Sequence, residues 1–431
     1  MIASPVTLLQ QAAGSTASGV PPQSFTAWLV ATLVKMLVVF TVYMVGVALL
    51  TLAERKISAW IQGRLGPNRV GPGGLLQPAA DGLKNIMKEE TYPEHAYKPL
   101  FVLAPAIAFI PALITWAVIP FGAPWDSRWG RIDMALAPLP VGFLYILAIS
   151  SLGVYGIVIA GWSSNNKYAF LGGLRSSAQM VSYEIAMGMS TIPVLLLAGN
   201  VALDDVVAQQ AAMGWNVLTL TLAFFVFMIA AFAETNRLPF DLPEAESELI
   251  AGYHAEYSAM KFSFFFIAEY ANMVTASALM ATLFFGGWDI PLTAWDNAAP
   301  HTGVKTLITG LAFLFKILFF IFLFMWIRWT LPRFRYDQLM ALGWKVLLPL
   351  SLAYIVIIAG VVLALDAARV ARGWMFGAAL FGVNVVVMLL VVLGLDRGRV
   401  ISPATTRVAS GELGRLRTVA ARRSAPAEVG D

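Results

Sequence analysis

The chain reads as long apolar runs separated by short polar connections. Nine runs are long enough to cross a hydrocarbon core, near 28–53, 99–120, 139–160, 177–198, 215–233, 262–286, 304–329, 345–365 and 374–395. They are continuous rather than alternating, which excludes an outer-membrane barrel. Prolines 105, 111, 193 and 349 fall inside runs, a placement that membrane helices accept when neighbours satisfy the freed carbonyl. The expected fold class is all-α: a polytopic membrane helix bundle of about nine transmembrane helices. A tenth helical pattern is interfacial. Leu75, Leu76, Ala79, Ala80, Leu83, Ile86 and Met87 recur at helical spacing with Asp81, Lys84 and Lys88 opposite, the mark of an amphipathic helix lying at a membrane surface.

Composition supports the same picture. Of 431 residues, 59% are hydrophobic and 13% charged, with a mean hydropathy of +0.74. An ordinary soluble domain carries about a quarter charged residues, so a soluble fold is excluded. Lys and Arg concentrate in the first, third, fifth and seventh connections, which orients those loops and the C-terminus to the cytoplasm and the N-terminus outside. The net charge of +4 is therefore an asymmetry across the membrane and gives no support to nucleic-acid binding. Residues 1–27 lack Lys and Arg and so lack the basic region of a cleaved signal peptide. Residues 396–431 carry seven arginines and read as a disordered cytoplasmic tail.

Cysteine is absent, and the three histidines, His95, His254 and His301, are unpaired in sequence. These counts argue against a disulfide, a thiolate-held iron–sulfur cluster, a zinc site or a bis-histidine haem. No Walker or G-x-G-x-x-G pattern is present either. Redox chemistry served by this chain would use centres held elsewhere.

Two connections are too polar to be simple linkers. The first, 54–98, opens Glu54-Arg55-Lys56 and continues into the Gly- and Pro-dense stretch 63–74, with Arg64 and Arg69. Such a stretch forms a loop of fixed shape, either a surface cap or an anion nest. The fifth, 234–261, is acidic, with Glu234, Asp241, Glu244, Glu246, Glu248 and Glu256 against Arg237 and Lys261. A helix is expected to start near Pro243, which places Glu244 and Glu246 where carboxylates suit the helix dipole. Glu248, four residues after Glu244, repels it there, so stability alone does not explain the set. Inside the spans stand Lys35, Glu184, Glu269 and Lys316. A charge at mid-membrane costs about 2.5–3.5 kcal/mol on insertion scales. Lys35 can snorkel. Glu184 and Glu269 are open to three roles: a proton path, an ion pair with Lys316, or a neutral acid bonded to a tyrosine.

Five motifs then carry a resemblance: Glu54-Arg55-Lys56 with Gly-Pro-Asn-Arg-Val-Gly-Pro at 66–72, Ser-Ser-Ala-Gln-Met-Val-Ser-Tyr-Glu at 176–184, the run 233–249, Ala-Glu-Tyr-Ala-Asn at 268–272, and the run 332–340. In this order they resemble the H-subunit family of bacterial NADH:quinone oxidoreductase, respiratory complex I, whose mitochondrial counterpart is NADH dehydrogenase subunit one. The likeness runs from about residue 28 to 365. It divides the chain into an outer N-terminal segment (1–27), a family core with eight spans (28–365), a ninth span (366–395) and the basic tail (396–431).

The resemblance implies a subunit of the bacterial inner membrane, bound to membrane-arm and hydrophilic-arm partners. Ubiquinone-type quinone would be its substrate, and no metal, flavin or iron–sulfur cluster would be its own. It implies a quinone tunnel roofed by the first loop and the amphipathic helix, with Arg55, Arg64, Arg69, Arg237 and Asp241 along it. It also implies an acidic coupling path of Glu184, Glu234, Glu244, Glu246, Glu248, Glu256 and Glu269, with Lys316. The competing readings are a quinone-independent membrane subunit of a related hydrogenase, a stand-alone ion-coupled transporter and a passive anchor.

Overall fold

The computed structural model describes residues 24–242, 250–291, 293 and 295–395. The N-terminal segment up to residue 23 and the tail 396–431 lie outside the described residues. So do Glu244, Glu246, Glu248 and the helix expected to start at Pro243.

The elements follow from the apolar runs. α1 (Phe25–Ile61) is capped by Ser24, whose hydroxyl accepts from the Ala27 amide at 3.3 Å. A short 3₁₀ turn leads to α2 (Gln77–Met87), the amphipathic helix expected from residue spacing. α3 (Lys98–Ile114) continues as a 3₁₀ turn and ends in a hairpin of β1 (Trp125–Ser127) and β2 (Gly130–Ile132), which pair antiparallel as the one sheet among the described residues. α4 (Gly142–Ser163) and α5 (Lys167–Ala198) follow, α5 opening on an Asn166 cap and closing on left-handed Gly199. Then come α6 (Leu203–Met213), α7 (Asn216–Thr219), α8 (Thr221–Glu234), α9 (Ala259–Phe284) and α10 (Gly303–Thr330). α11 (Tyr336–Leu342) runs through a π turn into α12 (Leu348–Ala367), and α13 (Trp374–Leu395) closes the described chain.

Among the described residues, eight helices are long and apolar enough to cross a membrane. The exception among the nine runs is the fifth: 215–233 forms a four-residue helix, a break at Leu220 and a fourteen-residue helix. The physical reason is local. Asn216 is fully buried and donates to the Leu283 carbonyl at 2.9 Å, while Gln210 donates to Thr282 O at 2.8 Å and accepts from the Gly286 amide at 2.9 Å. These amides cap the C-terminus of α9, whose last carbonyls have no partner within the helix, and they fix the chain there out of a continuous helix.

The core runs between α1, α5, α8, α9, α10 and α12. Phe232 stacks on Phe324 with centroids 3.9 Å apart, and the Tyr43 hydroxyl donates to Ala271 O at 2.9 Å. Outside it, rows of exposed Leu, Val and Phe on α1, α10 and α13 form the surface that a lipid-facing bundle requires.

Candidate functional site

All five motifs meet at the end of the bundle where α1, α8 and α10 finish and α9 begins. Gln179, fully buried on α5, donates to the carbonyls of Ala233 and Phe240, each at 2.8 Å, and so shapes the turn that leaves α8. Asn236 in that turn donates to the Ser176 hydroxyl at 3.1 Å. Tyr183 donates to Leu339 O at 2.9 Å, and Arg333 pairs with Asp241 at 2.7 Å. The second, third and fifth motifs are thus one hydrogen-bonded unit.

The first and fourth motifs join it through charge. Glu54, near the end of α1, is 5% exposed and takes three partners. Arg237 Nη1 lies 3.1 Å from its Oε1, Tyr270 donates to its Oε2 at 2.6 Å, and Arg328 from α10 also contacts Oε1. Arg237 reaches a second carboxylate, with Nε 2.7 Å from Oε1 of Glu269, and its guanidinium lies 4.4 Å from the Tyr270 ring centroid. Two carboxylates and two guanidiniums therefore balance, Glu54, Glu269 and Arg237 largely closed to solvent and Arg328 partly open to it. Buried charges persist only with such pairing.

Below this network lies a narrow cavity of about 40 Å³ of space open to water-molecule centres, room for a few waters. Glu234 and Glu269 face it together, with Asn236, Asn272, Tyr253 and Met180 among its walls. Glu184 lies on α5 next to the buried Tyr183. Geometry thus groups Glu234 and Glu269 at the cavity with Arg237, while Asp241 pairs with Arg333 on the adjoining turn.

The loop 63–74 and α2 cover the neighbouring surface. Gly74 is left-handed (φ 82°), and a Cβ there would sit 2.2 Å from the Pro67 carbonyl oxygen, so only glycine closes this loop. Arg55 pairs with Asp81 of α2 at 2.6 Å, and Lys56 donates to Gly73 O at 2.5 Å. Asn85 of α2 donates to Ser263 of α9 at 2.8 Å, and Glu90 pairs with Lys261 at 2.6 Å, which holds the Glu90 carboxyl below its ordinary range. Leu76, Leu83, Ile86 and Met87 remain exposed. Arg64 donates to Gln62 at 2.7 Å, whereas Arg69 is exposed and makes no ion pair among the described residues.

Two expected members stand elsewhere. Glu256 accepts from Asn166 at 2.6 Å and lines an open cleft with Glu94, His95 and Lys167. Lys316 does not meet Glu184 or Glu269. Its ammonium donates to the carbonyls of Phe285, Gly287 and Asp289 at 2.6, 2.8 and 2.5 Å, just beyond the C-terminus of α9. At 1.5 Å per residue this is roughly 24 Å along α9 from Glu269. Burial is the largest influence on the loop carboxylate Asp289, raising its pKa; it accepts from Trp215 and Asn297.

Sequence reasoning missed Glu54, Tyr270 and Arg328 as site residues. Arg328 was legible as a charge inside the run 304–329, and Glu54 as a carboxylate four residues past Leu50 of the same helix. Tyr270 offered only its place in a motif.

Comparison with known proteins bears on this assembly of motifs. The family model for NADH dehydrogenase matches residues 34–359. A relative from Leptospira biflexa, named as an NADH-quinone oxidoreductase H-subunit, is 52% identical over 330 residues, covering 74% of this chain and 91% of the relative. One from Flavobacterium johnsoniae with the same name is 50% identical over 346 residues, covering 80% and 98%. One from Cytophaga hutchinsonii, also named as an NADH-quinone oxidoreductase H-subunit, is 50% identical over 319 residues, covering 74% and 93%.

Proposed function

The chain belongs to the NADH dehydrogenase family, and on that premise we propose that it is the complex I membrane subunit that guides quinone to its reduction site and carries the effect of that reduction into the membrane. The observation that carries this reading is the shared guanidinium of Arg237, which ties Glu54 at the end of α1 to Glu269 at the wall of the acidic cavity. Electrons arrive from centres held by partner subunits.

The chemistry is as follows. Reduction of quinone to quinol takes two electrons and two protons. A quinone anion formed near Arg237 and Arg328 draws on cations that now balance Glu54 and Glu269. Two unit charges 4 Å apart interact by about 4 kcal/mol at an effective dielectric constant of 20, enough to change the protonation preference of a coupled carboxylate. Glu269, Glu234 and Glu184 form the next steps inward, with the cavity as the place for bridging waters. Glu244, Glu246 and Glu248 supply further carboxylates on the same loop. Glu256 and Lys316 take no part in this relay, on account of where they stand.

The access tunnel for quinone runs beneath loop 63–74 and α2. Arg55, through Asp81, holds the roof to α1, and Arg64, Arg69 and Asp241 line or brace the approach. The exposed apolar side of α2 suits the lipid boundary from which quinone comes. The motif-bearing end faces the cytoplasm of a bacterial inner membrane, with the Arg-rich tail on the same side.

Native electrophoresis of mildly solubilised membranes tests the reading. The chain is expected only in a large assembly that oxidises NADH and carries flavin and iron–sulfur partners. A stable monomer active by itself would contradict it.

A further inference from the structure

We propose that α13 is a built-in seal on the broken fifth helix, and that Asn384 on it is a positioning residue for α8 and, through α8, for Glu234. This second part rests on the reading of Glu234 given above. The family model ends at residue 359, so α13 lies beyond what it matches.

A lipid-facing helix has no need of a buried amide. Asn384 is nevertheless 1% exposed, and both ends of its side chain are engaged. Its Oδ1 accepts from the Tyr354 hydroxyl of α12 at 3.1 Å, and its Nδ2 donates to the Leu218 carbonyl at 3.2 Å. Leu218 sits two residues before the break at Leu220 (φ −131°, ψ 43°). Side chains take the carbonyls there: Thr221 donates to Val217 O at 2.7 Å and to Leu218 O at 3.2 Å, and Asn384 completes the set. In an apolar surrounding a backbone carbonyl without such a partner is strongly disfavoured.

α13 is keyed at a second level. Phe376 and Leu380 are fully buried, and a Cβ on Gly377 would lie 2.3 Å from the Met213 carbonyl oxygen at the end of α6. Gly377 is also beside Thr219, whose buried hydroxyl has no hydrogen-bond partner among the described residues. The contacts of α13 therefore fall on the two short helices, α6 and α7, that precede α8, and also on α8 itself and α12. α8 is a rod of 14 residues, about 21 Å long. One end is this break and the other is Glu234 at the cavity. Close-packed interiors pass a shift at one end of such a rod to the other.

The chain has no cysteine, so Thr219→Cys gives it one reporter, read by mass spectrometry of the intact complex. The thiol is expected to resist N-ethylmaleimide in the parent and to be labelled at least 10-fold faster with Asn384→Leu. Asn384→Leu in the otherwise native complex should also lower acidification per quinone reduced at least 2-fold, with Asn384→Ser, which keeps a donor, recovering part of it. Tyr354→Phe, which spares the Leu218 bond, should give intermediate values and carries the same comparison if Asn384→Leu fails to assemble. Unchanged labelling overturns the seal. Raised labelling with unchanged acidification per quinone overturns the positioning role. Glu234→Gln tested alone separates these from failure of the reading of Glu234: full pumping there would remove the underlying premise while leaving the labelling result intact.

Discussion

Glu54 and Glu269, on different helices, share one guanidinium: Arg237 stands 3.1 Å from the first and 2.7 Å from the second. The three side chains join the end of α1, the turn after α8 and the interior of α9, so a change at any of them is felt across the bundle.

Removing the shared cation tests that dependence. Arg237→Ala leaves the Glu269 carboxylate without its cation and Glu54 with Arg328 alone, and breaking a buried pair costs about 3–5 kcal/mol. The variant should be lost from the assembled complex on native gels. Adding Glu269→Gln removes the stranded charge and should restore assembly without restoring quinone turnover. Recovery of both together would show that Arg237 serves packing alone.

The Arg55–Asp81 pair is half exposed, and such pairs contribute about 0.2–1 kcal/mol. Arg55→Ala should therefore assemble. It should lower NADH:quinone turnover several-fold and leave reduction of a hydrophilic artificial acceptor unchanged, because that acceptor takes electrons before the tunnel. Arg69→Ala should behave alike. Equal loss of both activities would remove support for the roof.

Lys316 holds backbone carbonyls past the end of α9. Lys316→Leu should weaken assembly and reduce all activities in proportion. A selective loss of pumping in a fully assembled Lys316 variant would return this residue to the coupling path.

His254 lies in a loop between α8 and α9, packed against the rings of Tyr253 and Phe262, and burial lowers its pKa to about 4. The unfolded chain binds a proton near pH 6.5, whereas the folded one does not until about pH 4. Between those values the unfolded state holds more protons, so the contribution of His254 is present above pH 6.5 and is lost as pH falls toward 4. Thermal inactivation of the complex, compared with that of His254→Gln, should show the parent losing more stability over this window. Parallel curves would mean that His254 is not held neutral.

The helices were legible because a span is declared by its own length and apolarity, and α2 because its apolar face repeats every turn. The break at Leu220 was not: it depends on Asn216 and Gln210 reaching the end of α9, a contact between distant segments. The candidate site divides in the same way. Arg237, Asp241, Glu234 and Glu269 stand out as charges in or beside apolar runs. Glu54 reads as the first residue of a loop, although it is buried on α1, and Arg328 as an end residue, although it faces Glu54. Charge alone pairs Lys316 with Glu184 or Glu269, but its partners are carbonyls, which no sequence displays.

The most direct measurement on the coupling role is NADH:quinone turnover with acidification in membrane vesicles carrying Glu184→Gln or Glu269→Gln. Glutamine keeps the shape and much of the hydrogen bonding but cannot titrate. Both variants are expected to assemble and to lose most of their turnover and pumping, with Glu→Asp milder at each position. Turnover and acidification equal to the parent in both Gln variants would mean that these carboxylates are structural and that the coupling path lies elsewhere.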